Sequence, residues 1–249
     1  QMCIRDRPRV LGRVGRYRPS AASDVPATPT FRYHPGTAGD ISYSKTALWL
    51  ATLERHLGWE RLQPAMAEFY RVHRFAHPTP EEFFGVLSRV TGEDLDWFFD
   101  QVHHDAAVFD YAVDSVDSSP ARLRGLVDGE GGPVMAAADE TAPEIHRTEV
   151  VVRRLGDGVF PVDVLLVFED GSRLRERWDG RDRWKLWVEE RPARLSWAQV
   201  DPDGVLMLDV NPVNNSLQRE PAAELPAGKW ASKWALWFQD MMSAFAFFM

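Results

Sequence analysis

The spacing of apolar residues changes twice along the chain and divides it into three patterned regions. From about residue 40 to 103 the apolar positions recur three and four residues apart, the helical interval. Ala47, Leu50, Leu53 and Leu57 form one stripe; Leu62, Met66, Phe69 and Tyr70 form a second. Gly58 stands where a C-terminal cap ends the first helix. Pro64 requires the second helix to be near its first turn, because proline lacks an N–H and clashes with the turn before it. Thr79-Pro80-Glu81-Glu82 predicts a sharp third start, with a capping hydroxyl, proline at the first helical position and a carboxylate closing a capping box. Phe83, Val86, Leu87 and Val90 share the face that follows, and Gly92 ends it. Leu95, Phe98, Phe99 and Val102 give a fourth short helix, so the region predicts a compact helical subdomain.

After Ala106 the period becomes two. Phe109, Tyr111 and Val113 alternate with polar residues, as in a half-buried strand. Residues 117–143 read as loop, with Gly129, Gly131, Gly132 and Pro133. Strands are expected near 147–155, 160–169, 172–178, 182–189, 194–200 and 205–209. Gly156-Asp157-Gly158 and Asp170-Gly171 are hairpin signals. About seven short strands with such turns predict an antiparallel, Ig-like β-sandwich over 107–217. The fold class is therefore α+β, a helical subdomain at 39–106 followed by a sandwich.

Residues 218–249 read as a linker and an aromatic C-terminal helix. Trp230, Trp234, Trp237, Phe238, Met241, Phe245 and Phe248 fall on one helical stripe. A packed or partner-binding helix is the plainer expectation, and the start of a membrane span the sharper one. A span needs about 20 apolar residues, and Gln239-Asp240 interrupts this one. A membrane or partner-helix contact through residues 228–249 is thus expected. At the other end, residues 1–38 are rich in Arg, Pro, Ser, Ala and Thr and predict a disordered or non-native leader.

The net charge of −8 and pI near 5.4 argue against nucleic acid as the main partner. The one cysteine, Cys3, excludes a disulfide framework and a thiolate metal site. Among the seven histidines there is no HExxH, the one-helix zinc pair. There is no GxSxG nucleophile elbow and no phosphate-binding GxxxxGK. His103 and His104 are adjacent, and neighbours on a helix face different ways, a poor chelate. Trp97-Phe98-Phe99 is expected to pack the helical core. Trp178, Trp184, Trp187 and Trp197 are expected to fill the sandwich or its contact with the helices.

Tyr43 carries the candidate chemistry. It lies in Asp40-Ile41-Ser42-Tyr43-Ser44-Lys45, where a helix begins, and its phenol could face a cleft outside the helix layer. A phenol is a good neutral donor to a developing oxyanion, although a tyrosine in such a place is more often a packing residue.

The stretch Ser42-Tyr43-Ser44-Lys45-Thr46-Ala47, followed by Leu53-Glu54 and Leu57-Gly58, resembles the M1 (gluzincin) zinc aminopeptidases. In that family a Tyr-x-Lys-Gly segment opens a helix, and the tyrosine stabilises the transition state. Tyr43 takes that position, while Thr46 stands where glycine is usual. His77 to Phe84, Gly92 to Gln101, Asp110-Tyr111, Val150 to Arg154, Pro161 to Val164 and Trp178-Asp179-Gly180 continue the resemblance, to about residue 217. It implies that residues 39–106 are the C-terminal part of a thermolysin-like catalytic domain. It also implies zinc and a peptide substrate in an intact parent, acting outside the cytoplasm or at a membrane. The family's zinc ligands, general base and amine-binding groups lie upstream of the tyrosine, so none is assigned to a residue here. This chain alone is expected to be inactive and to hold no cofactor. The alternative is a non-catalytic binding or scaffold protein built of a helical bundle and a β-sandwich.

Overall fold

The computed structural model describes residues 6–121, 126–129, 131–135, 144–220 and 224–247. Helix α1 (Asp6–Ser20) comes first. A π-helical turn, Asp40–Lys45, runs directly into α2 (Thr46–Leu57). Next come α3 (Trp59–His73), α4 (Pro80–Thr91) and the short α5 (Asp96–Phe99), which a second π-helical turn extends to His104. The ends of these helices follow the sequence signals. Gly58 caps α2 at φ +82, and Gly92 caps α4 in the left-handed region. Thr79 Oγ1 accepts from the Glu82 N–H at 3.3 Å while Glu82 accepts from the Thr79 N–H at 2.7 Å. Pro64 differs from expectation. α3 starts at Trp59, so the proline lies in the second turn, and burial of Leu62 and Ala65 on either side holds the helix through it.

The sheets are antiparallel. One joins β1 (Tyr111–Pro120), β4 (His146–Arg154) and β7 (Trp184–Arg191) in the order β1-β4-β7. The other joins β5 (Val162–Phe168), β6 (Arg173–Trp178), β8 (Leu195–Val200) and β9 (Ser216–Gln218) in the order β6-β5-β8-β9. A small hairpin, β2 (Leu126–Gly129) with β3 (Gly132–Met135), lies within the stretch expected to be loop. The expected strand at 205–209 contributes a single bridge, Phe109 to Asp209, and the pairing partner of β8 is β9 instead. Alternation sets the inner faces, with Val150 and Val152 on β4 and Val164 and Leu166 on β5 buried. The two faces share one continuous apolar core with Trp49, Leu53, Phe98 and Phe99 of the helices.

The turn at Asp170-Gly171 joins β5 to β6 as a hairpin, but Gly156-Asp157-Gly158 does not join β4 to β5. Its backbone pairs with the 108–110 segment: Gly156 N donates to Asp110 O and Gly158 N to Val108 O. A Cβ on Gly156 would collide with the Val108 carbonyl. Arg154 fixes this turn from the inner face of β4. Its guanidinium donates to the carbonyls of Gly156, Asp157, Gly180 and Arg181.

The leader also departs from expectation. α1 is folded onto the Asp40–Lys45 turn. Tyr17 is fully buried and Val14 packs beside it, an apolar pair three residues apart that the surrounding arginines obscure. Residues 1–5 of the predicted leader lie outside the described residues. Of the four tryptophans expected to fill a sandwich, Trp178 and Trp187 are buried, Trp197 is half-buried and Trp184 is exposed. At the C-terminus, α6 (Glu224–Phe247) is 24 residues long. Among the described residues no helix is long and apolar enough to cross a membrane.

The Tyr111 hydroxyl ties the sheets to the segment ahead of β5. It donates to Phe160 O at 2.9 Å and accepts from Phe160 N at 2.8 Å. Removing it leaves two buried backbone groups unpaired. Tyr111→Phe is therefore expected to lower the unfolding free energy by about 1–3 kcal/mol, read as a lower urea midpoint at unchanged slope.

Candidate functional site

Tyr43 sits in the π-helical turn ahead of α2, and its neighbours explain its direction. Ile41, Ser44 and Lys45 are buried, and the stripe continues through Leu48, Trp49 and Thr52 into the core. A residue two places from both Ile41 and Lys45 must then point outward. Tyr43 is 73% exposed. Among the described residues no side chain hydrogen-bonds its hydroxyl, leaving the O–H free to donate.

The backbone around it is held from several sides. Arg13 Nη1 of α1 donates to the Tyr43 carbonyl at 3.0 Å. Ser20 Oγ, at the end of α1, donates to Asp40 Oδ2 at 3.0 Å. The Thr46 hydroxyl donates to the Ile41 carbonyl at 3.5 Å, inside the widened turn. Asp24 accepts from Thr37 Oγ1 at 2.6 Å and from His34 N at 2.9 Å, which ties together the loop leading in. The phenol thus stands on a backbone fixed by side chains of α1 and of its own turn. This arrangement can present a neutral donor to charge that develops outside the helix layer.

Beneath it lies a group the sequence reading did not single out. Lys45 is fully buried, and its ammonium has no hydrogen-bond partner. Burial pulls its pKa down to about 8, against the weaker opposing pull of Asp105 and Asp157. The Tyr17 hydroxyl is buried and unpartnered as well, and burial raises its pKa. A signal for Lys45 was present in the sequence, since it falls on the buried stripe four residues after Ile41 and three before Leu48.

The other candidates do not gather around Tyr43. The His103 and His104 rings meet edge to face at 4.9 Å, and burial, with His104 second, lowers the pKa of His103. His77 is exposed within the loop between α3 and α4. Among the described residues no group of three His, Cys, Asp or Glu side chains is placed to hold a metal ion. The described residues therefore do not fit a zinc site.

No family model matches the chain, and no curated protein matches it. Among solved structures, the crystal structure of Legionella pneumophila aminopeptidase A in complex with aspartic acid is similar with a TM-score of 0.44 and 13% identity. That match covers 70% of this chain and 18% of the Legionella chain.

The buried ammonium has a measurable consequence. Below pH 8 Lys45 is charged in both the folded and unfolded states, and the folded state bears the full cost of burying that charge. Between about 8 and 10.5 the unfolded state binds more protons, so this residue's contribution to stability improves as pH rises. Lys45→Met is expected to stabilise the chain by about 3 kcal/mol at pH 7. The gain should shrink as pH rises through that interval, measured as the difference between variant and parent in denaturant titrations.

Proposed function

We propose that this chain is the C-terminal portion of a zinc-dependent aminopeptidase of the M1 type, in which Tyr43 steadies the oxyanion formed as a peptide bond is attacked. In this reading residues 39–106 are the end of the catalytic domain and residues 107–217 an accompanying Ig-like sandwich. The observation that carries it is the exposed Tyr43 hydroxyl, on a turn that buries Ile41, Ser44 and Lys45, inside a segment that resembles the family's Tyr-x-Lys stretch. The phenol is neutral, so presenting it to substrate requires no charge to be desolvated in the ground state. As negative charge develops on the scissile carbonyl oxygen, the O–H donates to it more strongly than to the uncharged substrate. Such differential stabilisation raises turnover rather than affinity. Zinc ligands and the general base belong, on this reading, to residues outside this sequence.

Two measurements test the reading. Tyr43→Phe in the longer parent should lower kcat by about 10²–10³ with KM little changed; near-normal turnover would remove the assignment. The isolated chain should bind no stoichiometric zinc and release no N-terminal residue from peptides. One tight zinc per chain by metal analysis would show that ligands are present here after all.

A further inference from the structure

Helix α6 sets Trp230, Trp234, Trp237 and Phe238 in the open, whereas Trp49, Trp178 and Trp187 of the body are buried and Trp59 and Trp184 are exposed singly. Trp230, Trp234 and Trp237 are each more than half exposed, and Trp234 and Trp237 meet edge to face at 5.4 Å. At about 100° per residue, these three and Met241 fall within an arc of about 60° along α6. Lys229 and Lys233 border that arc on one edge, and Ser232 and Gln239 lie opposite it. Lys233 Nζ stands 5.7 Å from the centre of the Trp230 ring.

We propose that α6 lies in the plane of a phospholipid bilayer, with the tryptophan stripe at the boundary between headgroups and acyl chains and Lys229 and Lys233 reaching the lipid phosphates. Two features favour this occupant. Indole combines a large apolar surface with one N–H donor, which suits the half-wet interfacial layer better than a dry core. The two ammonium groups on the edge of the stripe sit at phosphate depth once the rings are immersed, so charge and apolarity match the bilayer together. A second copy of α6 is the competing occupant, because positions 230, 234, 237 and 241 also have coiled-coil spacing. Against it, three successive tryptophans are too bulky for the close knobs-into-holes seam that Leu, Ile and Val make. The edge lysines would also bring like charges together in a parallel pair. This inference does not depend on the peptidase reading.

The test is flotation of the full chain with phosphatidylcholine vesicles, which are zwitterionic and so do not repel a chain of net charge −8. The chain is expected to float with the vesicles. The triple variant W230A/W234A/W237A should lose at least about tenfold in partition coefficient, given the apolar area of three indoles, with the melting temperature of the body unchanged. A second variant, K229E/K233E, keeps every aromatic group and should lose a smaller factor. Absence of flotation, or equal flotation of the parent and the triple variant, overturns the proposal. So does a vesicle-independent dimer that the triple variant abolishes while vesicles capture no protein.

Discussion

The architecture depends on one docking contact, in which two consecutive residues ahead of β5 are gripped from both layers. On the helical side, the Gln101 side chain accepts from Val159 N at 2.6 Å and donates to Val159 O at 3.0 Å. On the sheet side, Tyr111 does the same for Phe160. Four backbone groups that would otherwise be stranded between two apolar surfaces are thus satisfied by two side chains. The Phe160 ring then enters the helical layer against His56, Trp97 and Phe98. With polar pairing and ring packing at the same residue, the sheets cannot slide past the helices without losing both.

A second contact carries that constraint to α2. Thr52 is fully buried in α2, donates to Leu48 O within its own helix and accepts from Met207 N across the layers at 3.0 Å. One turn further along, Arg55 donates to the Gly204 carbonyl. Together they fix the rotation of α2 about its axis. Because α2 continues the 40–45 turn without a break, the same rotation decides which residues of that turn face inward. Ile41 and Lys45 go in, and Tyr43 comes out. Exposure of the phenol is therefore a consequence of core packing some ten residues away. The buried ammonium of Lys45 is the unfavourable side of that phase.

Most of the helical layer was legible in the sequence because its signals are local. A capping box, a proline at the first helical position and a glycine at positive φ each act within one turn, and all are found where Thr79, Pro80 and Gly92 predict them. The sheets were legible in strand content but less so in partnership. Gly156-Asp157-Gly158 has the composition of a hairpin turn, yet it pairs with residues 108–110 because Arg154 and the Val108 carbonyl shape it from outside. Long-range pairing of that kind leaves no trace in a window of a few residues. Arg154 itself was readable, since strict alternation from His146 through Thr148, Val150 and Val152 puts it on the inner face. The leader was obscured by composition. Six arginines over residues 5–18 suggest a solvated arm, while a single buried tyrosine at 17 is enough to anchor the helix.

The body exposes aromatic residues singly, at Trp59 and Trp184 for example, whereas α6 exposes three tryptophans side by side along one stripe. Trp49 packs edge to face against Phe83, Phe84, Phe98 and Phe99, so helical aromatic residues in this protein find partners when the fold supplies a surface for them. Among the described residues, the hydrophobic core does not include Trp230, Trp234 or Trp237 of α6. Its three tryptophans fall on one stripe bordered by lysine, while Leu236 and Met242 are exposed away from it. An unsatisfied apolar face costs free energy in water in proportion to its area. A surface that meets the stripe of Trp230, Trp234 and Trp237 relieves the part of that cost they carry together. A flat, half-wet surface with phosphate at its outer level satisfies the indole faces, the indole N–H groups and the flanking ammonium groups at the same time.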